Sequence, residues 1–294
     1  MRVHHLNCAT LCPWGQRFIN GRGGVFAAGM MVCHCLLVES DDGLVLIDTG
    51  FGLDDVAFPR RRLGRLMDTL CRPLAEPEET ALRQVERLGF RRRDVRHIVP
   101  THLDLDHAGG LPDFPEAQVH VFHSEHAAAM ERRTLHERSR YRPVHWAHGP
   151  KWDLRSVEGE PWFGFASVRA IERVGTDVLL IPLHGHTRGH CGVAVKVDDG
   201  WLLHAGDAYF FHGETDPLSP WCPPALALFQ RHVAIDDGLR RRNQERLREL
   251  ARDRKRDVHI LSAHCPIEFA HYVGRAAKKE VLRERLAAAA QSPS

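Results

Sequence analysis

Thr101-His102-Leu103-Asp104-Leu105-Asp106-His107-Ala108-Gly109-Gly110 follows almost directly on an apolar, strand-like run, Val95 to Val99. Four side chains able to hold a metal ion, His102, Asp104, Asp106 and His107, stand within six positions. A loop at a strand end can splay such groups toward one point, and imidazole with carboxylate suits a divalent ion of borderline hardness. The arrangement recurs along the chain. His184-Gly185-His186-Thr187-Arg188-Gly189-His190 follows the apolar run Val178 to Ile181, with glycines that let a loop pass close to an ion. Gly206-Asp207 closes the run Leu202 to Ala205, and Ser262-Ala263-His264 closes Val258 to Leu261. A single histidine after a strand is more often a hydrogen-bonded structural residue. Four strand ends that each deliver a His or an Asp point to one metal centre.

The flanking sequence reads as alternating blocks. Val32 to Val38 and Leu44 to Ile47 form a hairpin about the turn Asp41-Asp42-Gly43. Residues 54–93 read as helical, with Leu82, Val85 and Leu88 on one apolar stripe. A strand is predicted near Val119 to Phe122 and a helix from Ser124 to Arg132. Residues 133–165 read as polar and irregular, with Trp146, Trp152, Trp162, Phe163 and Phe165 scattered through them. Strands follow at Gly192 to Val197 and Trp201 to His204, then helices over 223–257, then a closing helix from Pro266. The arginine-dense run 240–256 reads as an amphipathic helix rather than a phosphate patch. Leu239, Leu247 and Leu250 can face the core, while Glu245, Glu249 and Asp253 dilute the charge. With no linker rich in Pro, Gly or Ser and no internal repeat, residues 1–294 are expected to form one α/β domain. Its two packed sheets carry helices outside, and its tail 287–294 frays.

Composition narrows the partners. Among 294 residues, 40 Lys and Arg against 38 Asp and Glu give a net charge of +2, so nothing calls for nucleic acid or an anionic membrane. The eight cysteines form no CxxC pair and read as reduced thiols. The start MRVHHLN lacks the apolar core of a signal peptide. The longest apolar stretch, 25–38, falls short of the roughly 18 to 20 residues of a membrane span. A cytoplasmic location is the resulting expectation.

THLDLDHAGG, GHTRGH, the Gly-Asp of HAGD and the Ala-His of SAHC resemble, in order and spacing, the metal motifs of the metallo-β-lactamase superfamily. Asp48 in IDTG matches its early structural aspartate. The resemblance spans roughly Val32 to His264 and is closest to the N-acyl homoserine lactonase branch. It implies an αββα sandwich with helical insertions and two divalent ions at one edge. Carried over, His102 and His186 match ligands of one ion; Asp106, His107 and His264 match ligands of the other. Asp207 matches the carboxylate that bridges them. The family pattern is His-x-His-x-Asp-His, and this chain departs from it at Asp104, which is kept as a ligand of the first ion. Zinc is the expected metal. The three carboxylates Asp104, Asp106 and Asp207 raise the odds of iron or manganese.

What the resemblance implies for activity is a metal-dependent hydrolase of a small-molecule ester or lactone, with a metal-bridging hydroxide as nucleophile. Asp106 lies beside that nucleophile by analogy and can shuttle its proton. Superfamily lactonases carry a tyrosine that donates to the developing oxyanion, typically three positions past the bridging aspartate. Tyr209 stands two positions past it and is the candidate here. Thr187, His190 and Asp48 are expected to support the ligands rather than bind metal. Aromatics in 146–165 and 209–229 form an apolar pocket if they border the cleft. The rival readings are iron-dependent oxidation of a thiol or persulfide, and hydrolysis of a small phosphodiester or thioester. A homodimer is implied by the resemblance alone.

Overall fold

The strand Met31–Ser40 is buried along its first eight residues, so both of its faces must be covered. That requirement sets the layers. The computed structural model describes residues 2–74, 76–170 and 178–290. One sheet holds β1 (Arg2–Leu11), β2 (Met31–Ser40), β3 (Gly43–Ile47), β4 (Pro73–Leu74), β5 (Val95–Val99), β6 (Gln118–Phe122) and β7 (Lys151–Arg155). Their spatial order is β4-β1-β2-β3-β5-β6-β7. The other holds β8 (Glu160–Trp162), β9 (Phe165–Ala170), β10 (Val178–Pro182), β11 (Cys191–Val197), β12 (Gly200–His204) and β13 (Val258–Leu261), in the order β13-β12-β11-β10-β9-β8.

Alternate residues of each strand serve different layers. Leu36, Val38, Val45, Ile47 and Val99 of the first sheet meet Val178, Leu180, Val193, Val195 and Leu261 of the second. Leu37, Leu46 and Ile98 face the other way, onto Leu82 and Val85 of the helix Ala81–Arg87 and onto Ala128 and Ala129 of the helix His123–Glu131. Leu203 and Ala194 pack under Leu247 and Leu250 of the helix Asp237–Asp253. The architecture is therefore the αββα sandwich that the motifs implied, and the arginine-dense run is its amphipathic outer helix.

Two sequence expectations fail locally. Residues 54–93 do not form one helical region: prolines 59, 73 and 77 cut it into Leu53–Ala57, Pro59–Arg62, Arg65–Leu70 and Ala81–Arg87, with β4 between. Leu88 ends the last of these helices and is 41 % exposed, so the buried stripe stops at Val85. Residues 133–165 are not irregular. They contain β7, β8 and a helix, Leu135–Arg140, whose start is capped: the Thr134 hydroxyl accepts from Glu137 N, and the Glu137 carboxylate accepts from Thr134 N. The expected frayed tail lies partly within the helix Pro266–Ala290; residues 291–294 are outside the described residues. No helix among the described residues is long and apolar enough to cross a membrane.

Leu36 is wholly buried between the sheets. Leu36→Ala is expected to cost about 2–5 kcal/mol. Urea unfolding should show a lower midpoint with an unchanged slope.

Candidate metal centre

Parallel pairing of β3 with β5 and of β12 with β13 brings several strand ends to one edge of the sandwich. Backbone bonds lock the emerging loops together: Cys191 N to Thr101 O at 2.9 Å, and Ala263 N to Gly206 O at 3.1 Å. Two buried carboxylates act as their anchors. Asp48, itself at φ 54°, accepts from Thr101 N at 2.7 Å, from the Thr101 hydroxyl at 2.9 Å and from His107 Nδ1 at 2.8 Å. Glu125 accepts from Leu103 N, Gly189 N and the hydroxyls of Tyr141 and Thr187, at 2.6–3.1 Å. It thereby joins the 101–107 loop to the 184–190 loop.

These supports also fix which ring nitrogen of each histidine is free. His107 Nδ1 donates to Asp48, and His264 Nδ1 donates to Val32 O at 2.8 Å. Both rings keep an Nε2 lone pair for the cleft. His190 is turned the other way: its Nδ1 donates to Leu183 O, and its Nε2 accepts from Asp207 N at 2.9 Å. It positions the Asp207 backbone and is not a ligand.

The free atoms converge on Asp207. Its Oδ1 lies 3.3 Å from His107 Nε2 and 3.1 Å from His264 Nε2; its Oδ2 lies 3.3 Å from His186 Nε2 and 3.8 Å from His102 Nε2. Asp106 adds an oxygen 3.6 Å from His264 Nε2. Ligands 2.0–2.1 Å from a tetrahedral zinc are about 3.3 Å from one another, so these separations suit an ion. His102 Nε2, His107 Nε2 and Asp207 Oδ1 are buried with no hydrogen-bond partner. Such groups are costly unless a ligand satisfies them.

The local field agrees. Burial would lower the His107 pKa, but Asp207, Asp48 and Asp106 override it and hold the ring well above its usual range. Burial would raise the Asp207 carboxyl, but His264, His107 and His186 hold it well below. The cleft favours positive charge.

His102, Asp106, His107, His186, Asp207 and His264 are thus brought together as the sequence suggested. Asp104 joins them, its Oδ2 3.2 Å from His102 Nε2 and 3.1 Å from His186 Nε2, and it also carries an ion pair. Arg140, only 8 % exposed, donates from Nε to Asp104 Oδ1 at 2.7 Å and from Nη2 to Oδ2 at 2.8 Å. The same Nη2 stands 3.0 Å from His186 Nε2. Burial would raise the Asp104 carboxyl, and Arg140 with His102 keeps it well below its usual value.

Tyr209 does not reach the centre. It is fully buried in the core under the helix Asp237–Asp253, and its hydroxyl donates to Glu268 Oε1 at 2.9 Å. The place beside the donors passes to Phe210, which is itself buried and whose ring centroid is 4.6 Å from that of His264. Trp146, Trp162 and Phe165 are core residues rather than cleft lining. Sequence reasoning missed Arg140, Glu125 and Cys33. The Cys33 sulfur is close enough to Asp106 and His264 to share an ion with them.

A two-sheet sandwich carrying His and Asp donors at one edge defines a class of metal-dependent hydrolases. The chain belongs to the metallo-beta-lactamase superfamily, which it matches over residues 28–258. It is 44% identical over 266 residues to a probable metallo-hydrolase of Mycobacterium tuberculosis, spanning 90% of this chain and 81% of that one. It is 30% identical over 197 residues to the N-acyl homoserine lactonase AiiA of Bacillus thuringiensis subsp. kurstaki, spanning 66% and 71%. A solved N-acyl homoserine lactone hydrolase, with N-hexanoyl-L-homoserine at its catalytic metal centre, superposes with a TM-score of 0.67 at 20% identity. The match covers 91% of this chain and 94% of that one.

Glu268, which holds Tyr209 and Ser262, is pushed up from 4.5 to about 7 by burial, against the hydrogen bonds it accepts from both. Between these values the folded chain binds a proton that the unfolded chain has lost. Stability contributed by this group is therefore present below pH 4.5 and declines as pH rises to about 7. Glu268→Gln is expected to flatten that decline in thermal melts taken across the range.

Proposed function

We propose that the centre hydrolyses the ester bond of a small lactone or ester with an apolar substituent. The observation that carries this is the set of unsatisfied donors around Asp207, beside an aromatic wall. A divalent ion held there supplies Lewis acidity toward a carbonyl oxygen and lowers the pKa of a water. Asp106, His107, His264 and Asp207 Oδ1 form one set of donors, and His102, His186 and Asp207 Oδ2 face the other side. Zinc is the metal this His and Asp set suits first.

The chain's own residues contribute three further things. Asp106 is partly open to the cleft and supplies a carboxylate to take the proton from the attacking water and return it to the leaving alcohol. His190 and Asp48 hold Asp207 and His107 in orientation through hydrogen bonds at 2.9 and 2.8 Å. Phe210 joins Met31, Phe51, Leu105 and Leu226 in one apolar cluster, and Phe229, 41 % exposed, packs edge-on against it. Such a wall shelters an acyl chain while the polar ring faces the donors. The lactonase relative supports this substrate class and weighs against the thiol or persulfide oxidation.

Acid release followed by pH-stat tests the reading, on zinc-loaded protein with a medium-chain N-acyl homoserine lactone, a simple δ-lactone and a glutathione thioester. The lactones should be turned over with saturation. Asp106→Asn should lower kcat by about 10²–10⁴. Absence of release from every panel member would sink the reading.

A further inference from the structure

The two sides of Asp207 are not equivalent. On the Oδ1 side, His107 Nε2 is buried without a hydrogen-bond partner, and so is Oδ1 itself. His264 Nε2 and Asp106 Oδ2 complete that side at 3.1 and 3.6 Å. On the Oδ2 side a cation is already present. The guanidinium of Arg140 covers both oxygens of Asp104, and its Nη2 is 3.0 Å from His186 Nε2. Its Nη1 donates to His186 O at 2.9 Å, so the arginine grips the loop as well as the ring.

We propose that Arg140 stands in for one of the family's two ions, so that this centre takes a single divalent ion, held by Asp106, His107, Asp207 and His264. Three arguments support it. The first is occupancy. An ion on the Oδ2 side would need the lone pairs of Asp104 Oδ2 and His186 Nε2, at about 2.0–2.2 Å. Arg140 Nη2 already lies 2.8 and 3.0 Å from those two atoms. A guanidinium cannot lose its proton to make way, and it repels a dication.

The second is charge. Asp104, Asp106 and Asp207 bring three negative charges to the centre, and Arg140 with one divalent ion brings three positive ones. Histidine at position 104 would leave two carboxylates; here the extra carboxylate comes with its own cation.

The third is anchorage. Arg140 ends the helix Leu135–Arg140, whose Glu137 accepts from Arg188 at 2.6 Å, and the next residue, Tyr141, donates to Glu125 at 3.1 Å. Glu137 is thus bonded to the 184–190 loop directly and Tyr141 to both ligand loops through Glu125, and these ties hold the guanidinium where it is. His102 keeps an unpartnered Nε2 on this side. That atom lies 3.2 Å from Asp104 Oδ2 and 3.8 Å from Asp207 Oδ2, so His102, His186 and Asp207 are spaced to hold an ion; what keeps a dication off this set is the guanidinium already seated on Asp104 and His186.

This inference deepens the hydrolase reading and rests on it for the centre's role, but its test does not. Protein is dialysed against buffered free zinc, and zinc per chain is measured by plasma mass spectrometry, with circular dichroism confirming the fold. One zinc per chain is expected for the wild-type protein. Two are expected for Asp104→His combined with Arg140→Ala, which restores the family's ligand pattern. Arg140→Gln, which keeps bulk but removes the charge, is the second variant and should also bind more than one. Two zinc ions in the wild-type protein would overturn the inference even in an active lactonase. One zinc in the wild type and in every folded variant would overturn it too, since removing the arginine would then release no site. One zinc in a chain that releases no acid from any ester would leave it standing while sinking the hydrolase reading.

Discussion

Buried carboxylates at the sandwich edge are the constraint on which the rest of this structure depends. Asp48, Asp104, Asp207 and Glu125 are all withdrawn from water within a few residues of one another in space. A carboxylate in such a place is tolerable only when donors or cations meet it. Glu125 is met by four neutral donors, Asp48 by Thr101 and His107, and Asp104 by Arg140. Asp207 alone among these four keeps an oxygen with no hydrogen-bond partner. That remaining deficit marks the place for an ion. The same interactions that satisfy the other three carboxylates build the walls around it.

The backbone has to come close for this to work. A Cβ on Gly189 would fall 2.3 Å from the backbone nitrogen of Glu125, which lies against the Gly189 amide that the Glu125 carboxylate receives. A Cβ on Gly206, whose φ is +54°, would fall 2.6 Å from His190 Nε2, the atom that receives the Asp207 amide. Both glycines therefore set ligand geometry from one residue away: Gly189 precedes the supporting His190, and Gly206 precedes Asp207. Leu36, Leu46 and their neighbours matter to the centre in a similar indirect way. Apolar burial on both faces of β2 and β3 fixes the sheet from which Asp48 emerges.

How much of this the sequence disclosed follows from distance along the chain. The His and Asp motifs were legible because each lies at the end of a short apolar strand, where residue type and local periodicity agree. Asp48 was legible because IDTG closes a hairpin. Arg140 was not. It meets Asp104 from 36 positions away along the chain, in a segment whose charged residues and scattered aromatics read as irregular. Its helix is six residues long and is started by a capping box, a signal that Thr134 and Glu137 carry and that polar composition obscures. Cys33 lies inside an apolar strand and offers no pattern at all. Tyr209 and Phe210 exchange places because one residue of offset reverses which side chain faces the cleft. The relatives' spacing of three past Asp207 falls on position 210, which is Phe210 beside His264, whereas Tyr209, at two, turns to Glu268.

Arginine in place of an ion changes what the centre is before any metal arrives. An ion's charge depends on its supply and leaves with a chelator; a guanidinium is part of the chain and is charged at every pH the fold survives. Arg140 bonds at once to Asp104 and to the backbone of His186, so the two ligand loops are already joined on that side. The ordering that two ions share in a doubly occupied site would here be divided between folding and binding. The Asp104 side is ordered when the chain folds, and the Asp106, His107 and His264 side is completed by the ion. A lone ion then meets a cleft whose remaining charge is matched to it, and whose Asp104 and Asp48 are already held by hydrogen bonds formed within the chain. This also explains how an aspartate can occupy a position where the family uses a neutral imidazole. The substitution is tolerable only together with a buried cation, and residues 104 and 140 form one functional unit.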